Sequence, residues 1–170
     1  MIARARLAEA AQLRPARPPD IDGIVSLING YAAQGVMLPK TPGAVELSLD
    51  DHIVAVNQRD RVIACGALRE YSPSVAEVAS VAVAEEAHGQ GLGTRIVRAV
   101  ENLAAMRDID ELFALTLTTG FFVAAGYEVV DHALYPEKIR KDCRGCARRF
   151  SCSEVCVQRR LRRVMMAVAA

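Results

Sequence analysis

The sequence predicts an α+β domain, helices layered on a mixed sheet, with elements in the order β-α-α-β-β-β-α-β-α-β. Three observations predict it. A Val-rich stretch over residues 76–83 leads through alternating glycines into an amphipathic helix. Two apolar runs before it, 53–58 and 61–71, are joined by the turn Arg59-Asp60. The chain has 170 residues and is 52% hydrophobic, enough for one domain with a full core. Its net charge of +1 argues against a generally basic, nucleic-acid-coating protein.

In chain order, residues 1–12 are Ala- and Arg-rich without an apolar h-region, a short leader rather than a signal peptide. Residues 12–17 read as the first strand. Pro18-Pro19-Asp20 opens a helix with Ile21, Ile24, Val25, Leu27, Ile28 and Tyr31 apolar, and Gly35 stops it. Residues 36–41 are a loop and 42–51 a short helix. Residues 53–58, 61–71 and 75–84 make three successive antiparallel strands. In the helix after the glycines, Leu92, Ile96, Val97, Val100, Leu103 and Ala104 recur at helical spacing. Residues 112–118 are a strand, 121–125 a short helix ended by Gly126, and 127–134 the last strand. The chain therefore divides into a leader (1–12), one domain (13–136) and a basic, cysteine-containing tail (137–170) packed on or extending it. No stretch approaches the roughly 20 apolar residues of a membrane span. Five cysteines, with Cys65 in a strand, suit a cytoplasmic protein better than a secreted disulfide scaffold.

The turn H-G-Q-G-L-G (88–93) carries the first functional signal. Glycines let several backbone N–H groups approach one oxyanion, and a helix N-terminus adds partial positive charge. No Lys-Ser/Thr follows, which excludes a nucleotide-hydrolase phosphate loop, and the spacing after Gly91 fails the dinucleotide fingerprint. Three glycines alone suit an empty strand-to-helix turn equally well. With Val81 and Val83 before it, however, the segment resembles the acetyl-CoA-binding segment of the GNAT N-acetyltransferase superfamily, Arg/Gln-x-x-Gly-x-Gly/Ala after a V-x-V strand end. His88 stands where Arg or Gln is usual, which removes a permanent charge near the pyrophosphate and implies an affinity that is either lower or pH-sensitive.

That resemblance implies the GNAT fold, a mixed sheet of six to seven strands with about four helices, and acetyl-CoA as cosubstrate. It places the cofactor on Val81, Ala82, Val83, His88, Gly89, Gln90, Gly91, Leu92, Gly93 and Thr94. Four further segments resemble the short single-domain N-acetylglutamate synthases of bacterial arginine biosynthesis: GVMLPKTP (35–42), VIACGALREY (62–71), LTLTTGFFVAAGY (115–127) and YPEKIRKDC (135–143). The implied reaction acetylates the α-amine of L-glutamate, or of a similar amino acid, by direct transfer in a ternary complex. Rival readings are another amine acceptor and a non-catalytic acetyl-CoA-binding module.

By the same resemblance Glu77, alone among Val and Ala, is the candidate base, against a Glu solvated at the sheet rim. A backbone N–H near Val81 would stabilise the oxyanion. Phe121 and Phe122 stand where many relatives carry a Tyr acid, and Phe has no proton to donate; Tyr127 reads as core. Glutamate's carboxylates call for cations. Lys40 leads, Arg69 follows, Arg14 and Lys138 are weaker choices, and Thr116 offers a hydroxyl or merely suits a strand. The alternative for Lys40 is a solvated loop lysine.

The tail holds ten Lys/Arg against two Asp/Glu over residues 138–163, with Cys143, Cys146, Cys152 and Cys156 spaced C-x2-C-x5-C-x3-C. Four such thiols make a zinc site, free thiols or one disulfide. The basic excess suits the adenosine 3′-phosphate of coenzyme A, a partner subunit such as a second copy in a homodimer, nucleic acid, or a solvated helical face.

Overall fold

The computed structural model describes residues 11–161, so residues 1–10 of the expected leader and the chain beyond Leu161 lie outside it, while Gln12 already belongs to the first strand. Its strands are β1 (Gln12–Pro15), β2 (His52–Val56), β3 (Val62–Ser72), β4 (Val75–Val83), β5 (Glu111–Thr116), β6 (Glu128–Val130) and β7 (Val155–Arg160). The α-helices are α1 (Ile21–Ala33), α2 (Pro42–Glu46), α3 (Leu92–Met106), α4 (Thr119–Ala124) and α5 (Pro136–Lys141). The strands form one mixed seven-stranded sheet in the order β1-β2-β3-β4-β5-β7-β6, parallel at β4–β5.

Two compact units make up the chain, and β3 and β4 contribute to both. The first comprises residues 11–69 and 78–102. Its core gathers Ile24 and Ile28 of α1, Val45 of α2, Val54 and Val56 of β2, Val62 and Cys65 of β3, and Ala82 of β4. β2 is buried along its whole length between β1 and β3, as the apolar run IVAV after His52 requires. On α3, Leu92, Ile96, Val97 and Val100 are buried, each contributing about 1.5–3 kcal/mol by leaving water. Gly66 of β3 lets that helix approach, since a Cβ there would lie 2.5 Å from Ile96 Cγ2.

The second unit comprises residues 70–77 and 103–161. Tyr71, Phe113, Tyr135 and Cys156 form its core, and the Phe113 and Tyr135 rings stack at 3.9 Å between centroids. Sequence analysis assigned no strand to residues 155–160, yet β7 lies between β5 and β6, antiparallel to both. VCVQRR has only three apolar residues before its arginines, so the strand is visible only once its neighbours are in place. The expected strand over 127–134 shortens to β6, because the Asp131 side chain accepts from Ala133 N and turns the chain into a 3-10 helix at His132–Leu134.

Candidate active site

β4 ends at Val83, a 3-10 turn covers Glu85–Ala87, and α3 starts at Leu92. Between them Gly89 has φ +72° and Gly91 φ +74°, the left-handed region where a side chain is strained. A Cβ on either would meet nothing within 4 Å, so the space beside both is open to a ligand. The first amides of α3 have no intrahelical partner by construction. The Gln90 amide is turned back onto Glu86 O at 3.0 Å. His88 Nε2 lies 2.8 Å from Val83 O and 2.7 Å from the Tyr31 hydroxyl. A cavity of about 280 Å³ adjoins Tyr31, but Glu85 and Glu86 line it and disfavour a phosphate there.

Three residues beyond Glu77 the strand breaks its regular geometry. Ser80 has φ +55°, a conformation costing a non-glycine residue about 1–2 kcal/mol. The Cys65 thiol on β3 approaches Ser80 O at 3.5 Å. Burial pushes that thiol up to about 12, so it is a neutral S–H donor. The irregularity sits one residue before Val81, where sequence analysis placed the oxyanion amide.

Glu77 is buried at 5% exposure. Lys138 of α5 holds Glu77 Oε2 at 2.8 Å, and the Tyr71 hydroxyl of β3 stands 3.0 Å from the same oxygen. Asp142, just past α5, completes the group: Lys138 Nζ lies 3.1 Å from Asp142 Oδ2, and the Tyr71 hydroxyl donates to that oxygen. Burial alone would lower the Lys138 ammonium; the charge and hydrogen bond of Glu77, with Asp142 adding to both, outweigh it and hold the amine above its ordinary value.

The other sequence candidates fall in varied places. Lys40 is half-buried, its backbone clamped by Asn29, whose amide donates to Lys40 O at 2.9 Å and whose oxygen accepts from Lys40 N at 2.8 Å. Arg69 is exposed on β3. Thr116 is buried, with its hydroxyl accepting from Thr118 N at 2.9 Å and meeting the Thr118 hydroxyl at 3.0 Å. That oxygen therefore shapes the β5–α4 turn. Arg14 pairs with Asp20 at 2.6 Å, and Lys138 pairs with Glu77 at 2.8 Å, so each already faces a carboxylate of the protein. Phe121 and Phe122 meet edge to face, and Tyr127 is buried against Phe122 as expected of a core residue.

The zinc expectation requires correction. Among the described residues no group of three or more His, Cys, Asp or Glu is placed to hold a metal, and Cys143, Cys146, Cys152 and Cys156 are free thiols. Strand pairing takes Cys156 into the aromatic core, opposite Leu115 and Val130. There burial, with the charges of Glu77 and Asp131, pushes its thiol up to about 12, the opposite of what a thiolate ligand needs. Sequence reasoning missed Tyr71 and Asp142 as partners of Glu77. The only signal for Asp142 was its spacing four residues after Lys138, one helical turn.

A strand with a left-handed residue near its end, running through a glycine turn into a fifteen-residue helix, presents main-chain amides of the kind that can receive an oxyanion. The chain belongs to the acetyltransferase (GNAT) family, whose model matches residues 34–127, and it is accordingly an acyltransferase. Over 149 residues it is 34% identical to an uncharacterized N-acetyltransferase of Chlorobaculum tepidum, covering 88% of this chain and 96% of that one. It is 27% identical over 130 residues to the amino-acid acetyltransferase of Mannheimia succiniciproducens, covering 75% of this chain and 29% of the relative. The N-acetylglutamate synthase of Neisseria gonorrhoeae, solved with coenzyme A and N-acetyl-glutamate, superposes with a TM-score of 0.81 at 26% identity, over 90% of this chain and 35% of that one. The chain thus spans about a third of the amino-acid acetyltransferases it resembles. Among the described residues no helix is long and apolar enough to cross a membrane.

Proposed function

We infer that the protein transfers the acetyl group of acetyl-CoA to the α-amine of L-glutamate by direct attack in a ternary complex. One observation carries the acetyl-transfer chemistry: a buried carboxylate and a left-handed residue on β4, Glu77 and Ser80, are followed along the chain by the open glycine turn at Gly89–Gly91. Likeness to the synthase solved with coenzyme A and N-acetyl-glutamate supports the cosubstrate and the acceptor.

The amide N–H groups of residues 88–94 hold the pyrophosphate, and the N-terminus of α3 favours its charge. Glu77 takes a proton from the acceptor ammonium, and the freed nitrogen lone pair attacks the thioester carbon. The amide near Val81 faces the tetrahedral oxyanion. The attacking nitrogen sheds its second proton to solvent as the tetrahedral intermediate collapses, and coenzyme A leaves as a thiolate that takes a proton from solvent, since Phe121 and Phe122 have no proton to give. Lys40 and Arg69 supply positive charge for the glutamate carboxylates.

A second reading, another amino-acid acceptor, is favoured by Thr116, whose hydroxyl is engaged by Thr118 and withdrawn from substrate. Coenzyme A release from acetyl-CoA, measured against a panel of amino acids, separates the two. Glutamate is expected to give the highest kcat/KM. Release with another amino acid and none with glutamate establishes the second reading.

A further inference from the structure

We propose that Tyr71 and Asp142 form the proton exit of Glu77, with Lys138 holding the two carboxylates either side of the Tyr71 hydroxyl. The proposal rests on the reading of Glu77 as the base and extends it to residues outside the acetyl-CoA turn.

Geometry points to a relay rather than a simple ion pair. The Tyr71 oxygen is within hydrogen-bond reach of both Glu77 Oε2, at 3.0 Å, and Asp142 Oδ2. A phenol has one proton, so with both carboxylates ionised it satisfies one of them and leaves the other contact short of a proton. Lys138 bridges the same two oxygens at 2.8 and 3.1 Å. One ammonium against two carboxylates leaves the cluster with a net negative charge and room for one more proton. Exposure sets its direction, for the Glu77 side chain is 6% exposed and that of Asp142 19%. The proton enters at the buried end and leaves at the wetter one.

The acceptor ammonium loses two protons on becoming an amide: the first frees the lone pair before attack, and the second leaves as the tetrahedral intermediate collapses and is balanced by protonation of the departing thiolate. Glu77 receives the first and becomes a neutral acid. The Glu77 O–H then passes its proton to the Tyr71 oxygen while the Tyr71 hydroxyl proton moves to Asp142. Water takes the proton from Asp142, and both carboxylates are again anionic. Among the described residues, three further groups face the cluster. The Lys141 ammonium lies 5.7 Å from the Tyr71 ring centre. Cys143 stands beside Lys138 and Asp142, and burial raises its thiol. Cys156 on β7 lies near Glu77, and its thiol, pushed up to about 12 by burial with the charges of Glu77 and Asp131, does not compete for the proton.

The test compares wild type with Tyr71→Phe, Asp142→Asn, Lys138→Met, Lys138→Arg and Glu77→Gln, each checked by thermal melting. Tyr71→Phe and Asp142→Asn should each lower kcat/KM for the amine about tenfold, part of the 10²–10⁴ available to general base catalysis, with acetyl-CoA binding unchanged. Imidazole as an external base should restore much of the rate in both and leave wild type unaffected, a rescue that a purely structural role does not produce. Lys138→Met should lower kcat/KM as Tyr71→Phe does, and Lys138→Arg, which keeps the positive charge, should retain most of it. Folded Tyr71→Phe and Asp142→Asn variants with wild-type kcat/KM, beside an inactive Glu77→Gln, overturn the relay and leave Glu77 as base. Full activity in Glu77→Gln overturns both.

Discussion

The Tyr31 hydroxyl donates to the Val83 carbonyl oxygen at 2.5 Å, and His88 Nε2 reaches both of those atoms. The phenol stays protonated at neutral pH because burial, with the charges of Glu85 and Glu86, raises it above its ordinary value. Its single proton is committed to Val83, so the His88 contacts need a proton on Nε2. With Nε2 so engaged, the Nδ1 of neutral His88 is a bare acceptor that disfavours a phosphate oxygen. His88→Arg brings a fixed cation with several N–H donors to the same place and should bind acetyl-CoA more tightly than wild type. Isothermal titration at neutral pH checks this, and equal affinity in His88→Arg excludes position 88 from the cofactor contact.

Ser80 offers a second prediction, one about stability. A β-branched residue is least tolerant of its φ of +55°, because the branch meets the backbone in the left-handed region. Ser80→Val should cost about 2 kcal/mol. Ser80→Gly should come out nearly neutral, since relief of strain is offset by the extra chain entropy of glycine. Urea unfolding of both variants gives the comparison, and equal stability for Val and Gly would falsify the strained conformation.

How much of this was legible in the sequence depends on the range of the interaction. The glycine turn and the α3 face were legible, because positive-φ glycines and a 3.6-residue apolar period are local signals. Ser80 was not: a serine among valines and alanines says nothing about its φ. Glu77 stood out as a lone charge, but its partners are 6 and 61 residues away in the chain, a pairing that composition does not encode. For the cysteines, C-x2-C spacing suggested convergence, while the β7 pairing that buries Cys156 depends on strands nearly thirty and forty residues earlier. YPEKIRKDC resembled a family segment without revealing its task, which is to bring Lys138 and Asp142 to Glu77.

Asp20 predicts a pH-dependent stability. It is buried at 4% exposure, accepts from Arg14 at 2.6 and 3.0 Å and from Arg17 N at 2.7 Å, just ahead of α1. Burial on its own would raise its carboxyl; the Arg14 and Arg17 hydrogen bonds and charges outweigh it and hold the group below the usual carboxylate range. A folded value below the unfolded one stabilises the protein fully above the unfolded value of about 3.9, and the gain is lost as pH falls through the folded one. Asp20→Asn should cost about 2 kcal/mol at neutral pH, the scale of a charged hydrogen bond. That deficit relative to wild type should shrink toward about pH 2. Denaturant unfolding at both ends of this range tests the sign; a deficit that grows in acid contradicts it.

Gly66 ties the sheet to the helix that presents the anion-binding amides. An added Cβ would lie 2.5 Å from Ile96 Cγ2, 3.5 Å from Val100 Cγ2 and 3.6 Å from Val81 Cγ2, and Ile96 and Val100 are fully buried. Nothing at 2.5 Å is tolerated, so Gly66→Ala must push Ile96 aside and α3 with it, at about 1–3 kcal/mol. Ile96 sits one helical turn after Leu92, so the same displacement moves the amides of Leu92, Gly93 and Thr94. Gly66→Ala should therefore weaken acetyl-CoA binding as well as lower the melting temperature. Ile96→Leu removes the clashing Cγ2 branch, and the double variant should lose less stability than the two single changes added together. Strict additivity in melting, or unaltered acetyl-CoA affinity in Gly66→Ala, would show that α3 is positioned by something other than its fit to Gly66.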